Sequence, residues 1–189
     1  MAKSSKPTWS QIKARIKHWD KAQLMGLIQD LFKHSQDNRD FLAARLLRDS
    51  IGDQVLEPYL NRIEGAFYDK RGWPAKRLDL KDARSAIREY RRATSDPAGT
   101  LELMLAHVET GTQFTREFGD INEAFYDSLC TTLHEIKKLL DSEEGRSLYE
   151  QVQTRLAELA KQADGIGWGY GDYVVDVVGE IAADNEDEG

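Results

Sequence analysis

The sequence contains one cysteine, Cys130, and four prolines among its 189 residues. A single cysteine excludes an intrachain disulfide and is typical of a reducing compartment. Few prolines leave few positions at which a helix must end. No apolar run approaches the roughly 20 residues of a membrane span, and the polar N-terminus lacks the apolar segment of a signal peptide. We therefore predict a cytoplasmic protein that has no membrane partner.

The composition indicates one folded domain. Hydrophobic residues make up 40% of the chain and charged residues 31%, a balance typical of globular proteins. A chain of this length buries roughly 70% of its unfolded surface, so it needs neither a metal nor a disulfide to fold. We predict a single helical domain over residues 1–183, followed by an acidic, disordered tail over residues 184–189.

Acidic residues are concentrated in the second half of the chain. Residues 100–189 carry 20 acidic and six basic side chains, a net charge of −14, whereas residues 1–99 carry 20 basic and 13 acidic ones, a net charge of +7. Two interpretations follow. Each half binds a partner of opposite charge, or the two halves attract each other within one fold.

Apolar residues recur at spacings of three and four along most of the chain, which predicts an all-α protein. We expect eight or nine helices, in a bundle or a short stack of helical hairpins. Thr8 or Ser10 can cap the first helix and Asp20 the second. The second helix has one apolar stripe, formed by Leu24, Leu27, Ile28, Leu31 and Phe32.

Further start signals occur in the second half. Asp96 followed by Pro97 predicts a capped helix start with proline at the first helical position, and Asp120 predicts the cap of the next helix. Residues 69–79 form the clearest internal loop. The last segment is rich in β-branched valine, so a strand is the alternative to a helix there.

A basic stripe is the most organised polar pattern. Its members recur every three or four residues and so share one face of a helix. We call this set the basic face: Lys81, Arg84, Arg88, Arg91 and Arg92. Arginine side chains match phosphate geometry, which would suit nucleic acid. The alternatives are a solvated helix face or a contact with the acidic half of the chain.

A glycine-rich segment spans residues 165–171. It follows a helix rather than a strand and lacks the lysine of a P-loop, which argues against dinucleotide and NTP sites. Its aromatic residues, Trp168 and Tyr170, together with the following Tyr173, are candidates for a protein-binding surface. The alternative is a tight helix connection in which Trp168 and Tyr170 fill the core.

The sequence offers no metal site, cofactor site or catalytic residue. Cys130 and His134 are four residues apart on one helix face, but two ligands do not make a site. A lone cysteine in an apolar helix is usually a small core residue, and burial would raise its pKa and lower its reactivity. No serine lies in a Gly-x-Ser-x-Gly turn.

Three segments together resemble a bacterial family described only as a domain of unknown function. They are residues 19–45, which begin with WDK and end with FLAAR, the EFGD turn at residues 117–120, and IGWGYGDY at residues 166–173. The resemblance spans about Ile12 to Tyr173. It implies a bacterial, cytoplasmic, all-helical protein and transfers no activity.

Three hypotheses of function follow from these observations. The first is a non-enzymatic helical module that binds another protein. The second is a nucleic-acid-associated accessory protein that uses the basic face. The third is an enzyme or metal protein of an unrecognised type.

Overall fold

The computed structural model describes residues 6–47, 50 and 52–186. These residues form α-helices joined by short connections, with two short 3₁₀ helices at Gly52–Val55 and Arg146–Leu148. The nine α-helices of this part of the chain are α1 (Trp9–Ile16), α2 (Lys21–His34), α3 (Gln36–Leu46), α4 (Glu57–Gly65), α5 (Leu80–Thr94), α6 (Pro97–Phe118), α7 (Glu123–Leu140), α8 (Tyr149–Ala163) and α9 (Tyr170–Glu186). The all-α prediction is confirmed.

Helix α6 lies at the centre of the fold, and most of its surface is buried. It packs against α4, α5, α7 and α8, and α9 packs against α7 and α8. The valine-rich last segment is helical. Its residues Val174, Val177 and Ile181 are buried, and their spacing of three and four puts them on one helix face. The strand alternative for this segment is therefore wrong.

The first two helices begin at the predicted caps. Thr8 accepts a hydrogen bond from the backbone of Gln11, and the Gln11 side chain accepts one from the backbone of Thr8. Asp20 and Gln23 make the same reciprocal pair at the start of α2. Each capping box satisfies two backbone N–H groups that a helix start would leave free.

Two predicted caps have other partners. Helix α6 begins at Pro97 as expected, but the Asp96 carboxylate does not cap it and instead accepts a hydrogen bond from the hydroxyl of Tyr90 at 2.7 Å. Asp120 accepts from the hydroxyl of Tyr126 at 3.0 Å, while Asn122 caps α7. Both carboxylates thus satisfy tyrosine hydroxyls, which need acceptors where the rings pack into the core.

The predicted disordered tail begins too early. Helix α9 continues to Glu186, and Asp184 forms an ion pair with Lys137 of α7. Asn185 donates to the carbonyl of Ile181 at 2.8 Å. These contacts hold residues 184–186 in the helix, and residues 187–189 lie outside the described residues.

The N-terminal helices stand apart from the core. Helix α2 packs against α3, and α3 packs against α5. No residue of α1 or α2 is buried, and the apolar stripe of α2 faces water, since Leu24, Ile28, Leu31 and Phe32 are 36–46% exposed. None of the described helices combines the length and the apolar character needed to cross a bilayer.

Candidate partner-binding surfaces

Helices α2 and α3 form an apolar groove of about 620 Å³, which we call the N-terminal groove. Both helices and the residue after α3 contribute side chains. The lining residues are Ala22, Met25, Gly26, Ile28, Gln29 and Phe32 from α2, and Leu42, Ala43, Leu46 and Leu47 from the α3 side. Among these ten residues only Gln29 has a polar side chain.

Large apolar side chains of this groove are open to solvent. Met25 is 56% exposed, Leu46 is 70% exposed, and Ile28, Phe32 and Leu47 are 42–48% exposed. At about 200 Å² for a fully exposed large side chain, these five leave roughly 500 Å² of apolar surface in water. An exposed patch of several hundred Å² is typical of a binding surface on a monomer.

Gly26 lies in the middle of α2 and within the groove. Apart from its chain neighbours and the surrounding backbone of α2, a Cβ atom at this position would meet no described atom within 4 Å. A helical glycine costs about 1 kcal/mol of stability relative to alanine, and no described neighbour requires it here. By contrast, a Cβ at Gly111 of α6 would lie 2.5 Å from Leu129. Gly26 therefore leaves space where a second backbone can approach α2.

The rim of the N-terminal groove is mainly basic. Lys21 and Lys33 lie one helical turn from groove-lining residues of α2, and Arg39 lies one turn before groove-lining residues of α3. One carboxylate, Asp30, lies one turn after Gly26. Among the described residues, the rim therefore carries three cations and one carboxylate around an apolar floor.

The two carboxylates of α3, Asp37 and Asp40, face away from the groove. Burial, together with the nearby charges of Asp40 and Asp37, raises the pKa of Tyr59 in α4 to about 12. Asp40 also accepts a hydrogen bond from Gln36 at 2.7 Å. Asp40 and Asp37 precede the buried Ala44 by four and seven residues, so they share the core side of α3 with it and do not offset the basic rim.

The three aromatic residues proposed around the glycine loop lie in different environments. Trp168 is 61% exposed, and its ring stacks on Tyr126 with ring centroids 6.5 Å apart. Tyr170 is 1% exposed, and its hydroxyl lies 2.6 Å from that of Thr112. Tyr173 is half-buried. They do not form one surface: Tyr170 is a core residue, and Trp168 does not fill the core.

The backbone of the glycine loop accounts for this separation. Trp168 has a φ of +60°, between Gly167 and Gly169, and Gly169 has a φ of +69°. A left-handed conformation costs a non-glycine residue roughly 1–2 kcal/mol. A Cβ at Gly167 would lie 2.9 Å from the Asp120 carboxylate. The tight path over Asp120 leaves the Trp168 side chain on the surface, where it is a second candidate contact.

The basic face is partly occupied by the acidic half of the chain. Glu135 of α7 lies 3.5 Å from the guanidinium of Arg84 and 3.7 Å from that of Arg91. Lys81, Arg88 and Arg92 are exposed, and no ion pair joins them to a carboxylate in the described part of the chain. This contact supports attraction between the two halves and leaves three cations of the face in solvent.

The buried polar groups fit structural roles. Burial raises the pKa of Cys130 to about 11, so its thiol is protonated at neutral pH and unreactive. Burial lowers the pKa of His107 to about 4, so the ring is neutral, with Nε2 3.3 Å from the hydroxyl of Ser128. No group of three or more potential metal ligands occurs among the residues that the structure describes.

The N-terminal groove is not predicted by the apolar stripe of α2, although the sequence carries two further signals of it. Met25 widens the apolar face of α2 beyond the single stripe. Gly26 interrupts a helix in which no turn is needed. Both features are typical of a helix with apolar contacts on two sides.

Comparisons with known proteins identify no similar protein. No protein-family model matches the sequence, and no curated protein or solved structure is significantly similar to it.

Proposed function

We propose that the protein is a non-enzymatic helical module that binds another protein through the N-terminal groove. The observation that carries this proposal is the exposure of Met25, Phe32 and Leu46 in one apolar groove. An exposed apolar surface of this size is costly in water and becomes favourable when a partner covers it. The proposed setting is the bacterial cytoplasm, which the single cysteine and the family resemblance support.

The area of the groove is adequate for this role. Covering roughly 500 Å² of apolar surface contributes about 12 kcal/mol at 25 cal/mol per Å², and the partner buries a comparable area. Association costs about 4–15 kcal/mol in lost translational and rotational freedom. The balance favours binding when a partner covers most of the groove rather than only its edge.

Site-specific photo-crosslinking in the producing cells tests this function. A photoreactive residue replaces Leu46, which is 70% exposed in the groove. The matched control carries it at Lys161, whose side chain is 76% exposed on α8. We expect discrete crosslinked protein products from position 46 that are absent at position 161. No product from position 46, or the same products from both positions, would contradict the proposal.

A nucleic-acid-associated accessory protein remains a second proposal, supported by the exposed Lys81, Arg88 and Arg92. Their charges suit phosphate contacts, and such binding weakens steeply as salt rises. Titration of a fluorescent DNA duplex and an RNA strand at low salt tests this function. Binding that the triple variant K81Q/R88Q/R92Q abolishes would support it, and absence of binding at low salt would refute it.

A further inference from the structure

We infer that the N-terminal groove takes an amphipathic α-helix of a partner protein, with carboxylates along the edges of its apolar face. This inference rests on the proposed function and adds the chemical class of the partner. It uses three independent features of α2 and α3: the shape of the groove, the open space over Gly26 and the sign of the charge at the rim.

The shape of the groove fits a helix. Two helices that pack side by side leave a channel along their contact, and a third helix fills such a channel at an axial distance of about 8–10 Å. The 14 residues of α2 extend over about 21 Å. Met25, Ile28 and Phe32 recur at spacings of three and four, the pattern by which one helix contacts another.

Gly26 makes close approach possible at the middle of this channel. Ala22 lies one turn before it on the same face, so two small residues form a flat strip between larger apolar side chains. Small residues one turn apart let helix backbones approach closely. Because no described atom beyond the local backbone of α2 lies within 4 Å of a Cβ built on Gly26, the strip is open to a partner.

The rim selects the charge of the partner. Among the described residues, Lys21, Lys33 and Arg39 lie around the groove against one carboxylate, Asp30, so a helix with acidic edges gains charge complementarity. A second copy of this chain would bring the same cations against each other, which disfavours a symmetric pair. The attraction between exposed charges weakens as salt screens it.

Defined peptides test this inference on the full chain. The first probe is a fluorescent amphipathic peptide of about 18 residues, long enough to form a helix, with leucines on one face and glutamates at its edges. The second probe replaces each glutamate with lysine. We expect the acidic probe to bind at least about tenfold more tightly at low salt, and K33E to reduce that preference. Equal affinity of the two probes would overturn the inference about charge.

Substitution at Gly26 locates the binding. Leucine at this position, G26L, enters open space in the free chain and blocks a partner backbone, so we expect about tenfold or greater loss of affinity with no loss of thermal stability. G179L is the matched control, because Gly179 is also an exposed helical glycine with no atom within 4 Å of a Cβ. Equal affinity of wild type and G26L would overturn the site.

Two further measurements separate the remaining occupants. Sedimentation equilibrium detects a second copy in the groove: a dimer that G26L dissociates would overturn the inference in favour of self-association. The K81Q/R88Q/R92Q variant tests whether the acidic peptide binds the basic face instead. If this variant loses peptide binding while G26L keeps it, the inference is also overturned. Specific crosslinks at position 46 without peptide binding would leave the proposed function standing and refute the acidic helix.

Discussion

A buried pair of hydroxyl groups, on Thr112 and Tyr170, joins α6 to α9. Removing either hydroxyl tests whether Tyr170 lies in the core. The hydroxyl of Thr112 donates to the carbonyl of Val108 at 2.8 Å, which uses its only hydrogen. The hydroxyl of Tyr170 must therefore donate to Thr112 across the 2.6 Å separation. Both side chains are at most 1% exposed, so water cannot replace either partner.

The structure sets the relative cost of each substitution. Y170F removes one buried hydrogen bond, and we expect the free energy of unfolding to fall by about 1–2 kcal/mol. T112V leaves the Tyr170 hydroxyl as a buried donor without an acceptor, which costs about 1–3 kcal/mol. In the double variant the two losses share one interaction, so the total should be about 1 kcal/mol smaller than the sum.

Urea unfolding of the wild type, the two single variants and the double variant measures this coupling. Tyr173→Phe is the control, because Tyr173 is half-buried and its hydroxyl lies 3.5 Å from the Cys130 carbonyl, a weak contact. We expect a change below about 0.5 kcal/mol for the control. Additive losses, or an unchanged stability in Y170F, would refute the assignment of Tyr170 to the core.

Two other core positions give predictions of defined sign. The pKa of His107 is about 4 in the fold and 6.5 in an unfolded chain. Between these pH values only the unfolded chain binds the His107 proton. The free energy of unfolding should therefore fall by up to about 3 kcal/mol as the pH drops from 6.5 to 4. Denaturation at several pH values should show a shallower fall in H107L, and equal slopes would contradict it. G111A crowds the fully buried Leu129 and should lower stability by about 1–3 kcal/mol, whereas G26A should raise it by about 1 kcal/mol. Thermal denaturation measures both variants, and melting temperatures that shift in the same direction would contradict this contrast.

Most of the helical architecture could be predicted from the sequence because its determinants are local. The apolar period of three and four, the capping boxes at Thr8 and Asp20, and the proline at position 97 act within one or two helical turns. The partners of Asp96 and Asp120 could not be predicted in this way. Each carboxylate could cap a helix locally, but in the fold it accepts a hydrogen bond from a tyrosine hydroxyl six residues away along the chain.

The candidate sites were less predictable because exposure depends on packing between distant segments. Trp168 and Tyr170 are two residues apart, yet one is 61% exposed and the other 1%. The left-handed backbone at Trp168 separates them, and no local rule assigns that conformation to tryptophan. Periodicity likewise predicted the apolar face of α2 but not what covers it. An apolar stripe that packs on the core and one that binds a partner protein have the same residue spacing.

Amide hydrogen exchange of the full chain, with and without the acidic peptide, tests the central claim most directly. The measurement distinguishes the N-terminal groove from the Trp168 loop and from the basic face in one experiment. We predict slower exchange within Lys21–His34 and Gln36–Leu46 when the peptide is present, and unchanged exchange elsewhere. Slower exchange at residues 164–173 or along α5, with α2 unchanged, would contradict it.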